Sequence, residues 1–189
     1  MSAITTISDD DATGRRAEIY TEDRAEYGYV ADHTRVMTVN LPAYEAWEAL
    51  IGAVAKPLGK RRYELVTLAA ALGVGSRHCR LAHGRNSIAI FGEDQLLRIA
   101  TDYRHAGLTA AEVAIMAYAE KVSRDSSAMT DADIEALREH GLGDEEIANI
   151  ALAAAARNYY SRAVQALGAD VEKLPGLSPR LASALTAGL

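Results

Sequence analysis

Cys79 is the only cysteine in a chain of 189 residues, and a histidine stands on one side of it while another, His83, follows four positions later. Residues four apart on a helix share a face one turn apart, so a thiol and an imidazole at these positions can meet. A thiol beside a base is a nucleophile in waiting, because the thiolate is the form that attacks. Ser76 sharpens the expectation. As an N-cap it makes Arg77, His78 and Cys79 the first three helical residues, which puts the sulfur where backbone N–H groups lack partners and an anion is favoured. A protonated His78 or His83 would strengthen that field. Glu64 lies on the preceding helix, beyond the break at Gly73-Val74-Gly75, and a hairpin of the two helices carries its carboxylate back over the first turn, to orient a histidine or pass a proton through water.

Other chemistry fits the same residues. A lone cysteine is often a buried, inert filler. Cys79 and His83 also have the spacing of helical metal ligands, with Glu64 or His78 as further donors, although one cysteine does not make a closed structural zinc site. Gly73-Val74-Gly75 lacks the flanking strand of a nucleotide-binding loop, so no cofactor is expected, and no bound metal either. His33, His105 and His140 fall in loop or helix-end contexts and receive no role.

The elements that must position these groups read as helices throughout, with no period-two strand. Asn40 caps a helix with Pro42 in its first turn and Tyr44, Trp47, Leu50, Ile51 and Val54 on one face. Lys60 to Leu72 forms a second helix with Leu65, Leu68, Ala69 and Leu72 inward, stopped by the glycines at 73 and 75. The helix capped by Ser76 runs towards Phe91. Thr109 and Glu112 have capping-box spacing and open a helix to about Arg124; Thr130 and Asp133 repeat the device for a helix ending at His140-Gly141. Asp144 caps a long helix to Gly168, and Ser178-Pro179 starts a short one. The alanines from Ala151 to Ala156, broken only by Leu152, either let helix axes approach closely, including in self-association, or reflect helix propensity alone. The domain is all-α. It spans 17–168, between an N-terminal arm, 1–16, and a C-terminal tail, 169–189, both mobile unless docked.

A net charge of -6 argues against a surface built for phosphate backbones, so no nucleic-acid partner is expected. No apolar run approaches the length of a membrane span, and the first residues lack a secretory pattern, which makes a cytoplasmic protein without a membrane partner the expectation.

Glu64, Ser76, His78, Cys79 and His83 together resemble the motif of the alkylhydroperoxidase AhpD-like, carboxymuconolactone decarboxylase superfamily: a glutamate and, twelve positions on, Cys-x-x-Cys-x-x-x-His. Glu64, Cys79 and His83 match in register, and Ser76 stands where the first cysteine belongs. The flanks, EDRAEYGYVADHTRVMTVNLPAYEAWEAL before the motif and DYRHAGLTAAEVAIMAYAEKVSRDSSAMTDADIEALREHGLGDEEIANIALAAAARNYYSRAVQALG after it, are similar to the uncharacterised peroxidase-related branch. The resemblance covers 17–168 and implies an all-α fold whose active-site helix hairpin assembles into trimers or hexamers. It also implies a thiol peroxidase acting on hydrogen peroxide or small organic hydroperoxides. In that cycle Cys79 attacks the O–O bond, His83 accepts the proton, Glu64 relays or orients, His78 shapes the field, and a disulfide forms with the first cysteine. Ser76 can cap the helix and donate a hydrogen bond to a thiolate, but cannot form that disulfide, so reduction falls to an external thiol or a protein reductant. The alternatives are a decarboxylase-like enzyme using Glu64 and His83 in acid/base chemistry, and a non-catalytic oligomeric relative. Ser161-Arg162 is a second departure, where related sequences often have Asn-Arg.

Overall fold

The computed structural model describes residues 2–189. Among them the regular elements are all helical, in the order α1 (Gly14–Tyr27), α2 (Asp32–Met37), α3 (Leu41–Gly73), α4 (Arg77–Phe91), α5 (Glu93–Asp102), α6 (Ala110–Arg124), α7 (Asp131–Arg138), α8 (Asp144–Ala166) and α9 (Pro179–Thr186). The organising element is α3. Its first half is capped as expected, the Ala43 N–H donating to the Asn40 side chain at 3.2 Å. Pro57 removes a helical donor, and Gly59, at φ 69° and ψ 158°, breaks the helix in two. Only glycine reaches that region without steric cost. The break separates the two helices read from the sequence.

Beyond Gly59 the second half runs through the middle of the molecule. Every side chain from Tyr63 to Ala71 is buried, because α4, α6 and α8 all pack on this stretch. A helix enclosed on all sides has no solvent face. That is why Glu64, which could be an ordinary solvated residue, becomes a buried carboxylate. Leu72 is only half-buried, and in the first half Leu50 is exposed, so it does not belong to the inward face that Tyr44, Trp47, Ile51 and Val54 form.

Along α8 the inward positions are Ile147, Ile150, Ala154, Arg157, Ser161 and Val164, the alternating steps of three and four that keep one face on a neighbour. Ala153, Ala154 and Ala156 are buried, while Leu152 is exposed. The alanine run thus serves packing of α8 against α3 and α6 within the chain. Gly143, not Asp144, is the cap of this helix: its N–H donates to Glu146 at 3.1 Å, and Asp144 is the first helical residue.

The capping box at Thr109–Glu112 forms in full, and at Thr130–Asp133 its returning half does, the Thr130 N–H donating to the Asp133 carboxylate at 2.7 Å. Helices α1, α2 and α5 carry no such signal, since Thr13, Ala31 and Gly92 make no side-chain cap. The terminal segments are docked. The Ala3 N–H donates to the Leu167 carbonyl at 3.0 Å, and α9 buries Leu181 and Leu185 in the main core. Arg80, fully buried on α4, ties three elements together by donating to the carbonyls of Leu68, Ala100 and Leu185. Among the described residues no helix is long and apolar enough to cross a membrane.

Candidate active site

The turn Gly73–Ser76 folds α4 back along α3. The Ser76 N–H donates to the Ala71 carbonyl at 2.9 Å, and the Ser76 hydroxyl oxygen accepts from the Cys79 N–H at 3.3 Å. Ser76 is the cap, as expected, and Cys79 is in the first turn. The hairpin brings Glu64 to His83: the imidazole Nδ1 lies 2.8 Å from a Glu64 carboxylate oxygen, with both groups buried. A proton on Nδ1 donates to the carboxylate, which leaves Nε2 as the basic nitrogen.

The sulfur is held differently from the expectation. No hydrogen bond joins Cys79 to His83 or His78 among the described residues. Sγ instead accepts from the Ser161 hydroxyl at 3.1 Å and from Arg157 Nη1 at 3.9 Å. Arg157 Nη2 also donates to the Tyr63 hydroxyl at 3.1 Å. The guanidinium sits 5.8 Å from the ring centroids of both Trp47 and Tyr160, a distance at which a cation gains from an aromatic face. No carboxylate pairs with it among the described residues.

The charges follow from burial. His83 is lowered below the usual histidine range, first by burial and then by Arg157, against the opposing pull of Glu64. His78 is pushed down to about 4 by burial, with Arg157 and His83 adding to it. His33 is lowered well below the ordinary range, again chiefly by burial. Near neutral pH these are imidazoles, which corrects the expectation of a protonated histidine beside the sulfur: the positive charge there belongs to Arg157. Burial works against that charge, but the Cys79 and Tyr63 side chains outweigh it and the guanidinium holds its proton more tightly than usual. Burial raises the Tyr63 and Tyr160 phenols, so both stay protonated.

His33, Tyr63, His78, Cys79, His83, Arg157 and Tyr160 line one cavity of about 300 Å³, together with Asp23, Tyr27, Tyr44 and Asn86. Cys79, only 1% exposed, lies on its wall with His78 and His83. A larger groove of about 620 Å³ between α5 and α9 contains none of these groups. No three His, Cys, Asp or Glu side chains among the described residues converge to hold a metal ion. His33, given no role from sequence, packs its ring 4.3 Å from that of His78 inside the cavity. Arg157, Tyr63 and Tyr160 were also missed. The signal for Arg157 was its register: it shares the inward stripe of α8 with Ile150, Ala154 and Ser161, where a solvated arginine has no place.

No family model matches the chain, and no curated protein does. Solved structures match along nearly its whole length. The AhpD core of an uncharacterised peroxidase-related protein from Ralstonia eutropha JMP134 superposes with a TM-score of 0.77 at 22% identity, covering 98% of this chain and 96% of that one. A peroxidase-related protein from Silicibacter sp. TM1040 gives 0.76 at 22%, over 90% and 92%. The debrominase Bmp8 gives 0.73 at 13%, over 97% and 96%; a cysteine-to-alanine variant of it has been solved in complex with 2,3,4-tribromopyrrole. The chain therefore has the AhpD-like all-α fold that the resemblance implied, a fold it shares with a debrominase.

Proposed function

We propose that the protein is a single-cysteine, thiol-dependent peroxidase that reduces hydrogen peroxide or small organic hydroperoxides. The observation that carries this reading is a sulfur receiving two donors, one of them cationic, in a cavity that it shares with a carboxylate-oriented imidazole. Ser161 and Arg157 fix the sulfur on the cavity wall beside His83. The thiol proton passes to His83 Nε2, directly or through water, and the sulfur attacks the distal peroxide oxygen. The S–O bond forms as the O–O bond breaks, and the proton returns from His83 to the leaving alkoxide. An external thiol condenses with the sulfenic acid, releasing water and leaving a mixed disulfide, and a second thiol frees Cys79. Ser161 takes the donor role first assigned to Ser76, and His78 holds the cavity wall as a neutral ring. Peroxide consumption in the presence of a thiol tests the reading: Cys79→Ala abolishes it, and a variant that turned over unchanged would reject it.

A second reading has its own support. The Glu64–His83 pair is complete without the sulfur, as general acid/base chemistry on a small carboxylated lactone requires. There, His83→Ala removes activity while Cys79→Ser keeps it; a peroxidase shows the reverse dependence on sulfur. Since Bmp8 is a debrominase on the same fold, a polybrominated pyrrole belongs in the same assay. Self-association as a trimer or hexamer is part of the proposal, supported by the exposed side chains of Leu50, Leu152 and Tyr159.

A further inference from the structure

The chain has a single cysteine, so an oxidised Cys79 has to be met by a sulfur from outside. That sulfur must come within bonding distance of an atom that is 1% exposed, inside a cavity of about 300 Å³ walled by aromatic rings. A cysteine on the surface of a folded partner does not reach there; a small molecule does. The cavity also selects by charge. His33, His78 and His83 are neutral, Glu64 is engaged by His83, and the Asp23 carboxylate accepts the Ala31 N–H at 2.9 Å. Arg157 is the cation of this lining; no carboxylate pairs with it among the described residues, and its Nε is buried with no partner. Once the sulfur is covalently modified, the guanidinium faces the cavity without an anionic partner on the chain.

We propose that the reductant is a small, free monothiol bearing a negative charge, admitted to the cavity and drawn to the sulfur by Arg157. This rests on the thiol-peroxidase reading, but its chemistry can be started without peroxide. The incoming thiolate attacks Cys79–S–O–H, forming S–S and releasing hydroxide that takes the reagent's proton as water; a second thiolate attacks the mixed disulfide, expelling the Cys79 thiolate and carrying both sulfurs away as the external disulfide.

The experiment uses full-length protein in two forms, one oxidised with a single equivalent of hydroperoxide and one converted to the S-methylthio adduct of Cys79 with methyl methanethiosulfonate. Regeneration of the free thiol is followed by mass spectrometry with 3-mercaptopropionate, 2-mercaptoethanol, cysteamine or reduced thioredoxin, each rate expressed per thiolate. The anionic thiol is expected to exceed the neutral one by about tenfold, with cysteamine slower still, as charge complementarity requires; thioredoxin is expected to be ineffective. Arg157→Gln levels the three small thiols and Arg157→Lys restores their order. Equal rates in the native chain, or thioredoxin as the fastest reductant, would overturn the inference. A chain that peroxide does not oxidise, but whose methylthio adduct shows the charge order, would sink the peroxidase reading and leave the charge-selective site standing.

Discussion

At Cys79 the side chains that donate to the sulfur, Ser161 at 3.1 Å and Arg157 at 3.9 Å, come from a distant helix rather than from the histidines of its own. A buried guanidinium without a carboxylate is costly unless something negative faces it, and the sulfur is the anion-forming group that Arg157 touches. Replacing Arg157 with Gln is expected to slow alkylation of Cys79 by iodoacetamide near neutral pH, because it removes the donor that lies 3.9 Å from the sulfur. Arg157→Lys should keep part of the rate, and equal rates in all three proteins would show that the contact is mere packing. The buried histidines set a second expectation. His78 has a folded-state value of about 4 against 6.5 for the unfolded group, so the unfolded chain binds the proton first. Its contribution to stability is complete above about 6.5 and is lost as pH falls towards about 4, by at most about 1.4 kcal/mol per pH unit. His33 and His83 act in the same direction. Urea unfolding at stepped pH should show this slope, and His78→Asn should flatten it.

At the scale of helices, α4 is fixed from below by its cap and from above by α9. A Cβ on Gly84 would stand 2.2 Å from a Leu185 methyl carbon, so Gly84→Ala must displace the Leu185 side chain, at a cost of about 1–3 kcal/mol for an overpacked contact. Arg80→Met removes the donors to the Leu68, Ala100 and Leu185 carbonyls, and hydrogen exchange in Pro179–Thr186 should rise sharply while the interior of α3 stays protected. Unchanged exchange in α9 would mean that Leu181 and Leu185 suffice to hold it. What could be read from the sequence follows the same logic. Asn40, Ser76, Thr109 and Ser178 advertise their helices because each side chain supplies an oxygen to an orphan N–H, and at Thr130 the Asp133 carboxylate accepts the cap N–H instead; α1, α2 and α5 start without a side-chain cap bond and were silent. Glu64 and His83 were legible as partners because they lie on two consecutive helices joined by a short turn, whereas Cys79 shares with His83 only the cavity wall. Ser161 and Arg157 reach the sulfur from 82 and 78 residues away, and no local spacing encodes that approach. Their inward register on α8 was visible, but what they faced was not.

Over the whole molecule, α3 is enclosed by α4, α6 and α8, and the site lies where its buried half meets α4 and α8. The exposed Leu50, Leu152 and Tyr159 lie outside that packing. Light scattering is expected to give a trimer or hexamer, and Leu152→Asp or Tyr159→Asp to shift it towards monomer with the helical content retained; a native monomer would contradict the assembly. The most direct measurement is a single turnover: reduced protein mixed rapidly with a hydroperoxide, with sulfenic acid at Cys79 trapped and quantified against time. The account predicts oxidation at least about a hundredfold faster than that of free cysteine, the range that preorganised donors supply, together with stoichiometric alcohol. Oxidation no faster than free cysteine, in a folded protein with Cys79 reduced at the outset, would contradict it.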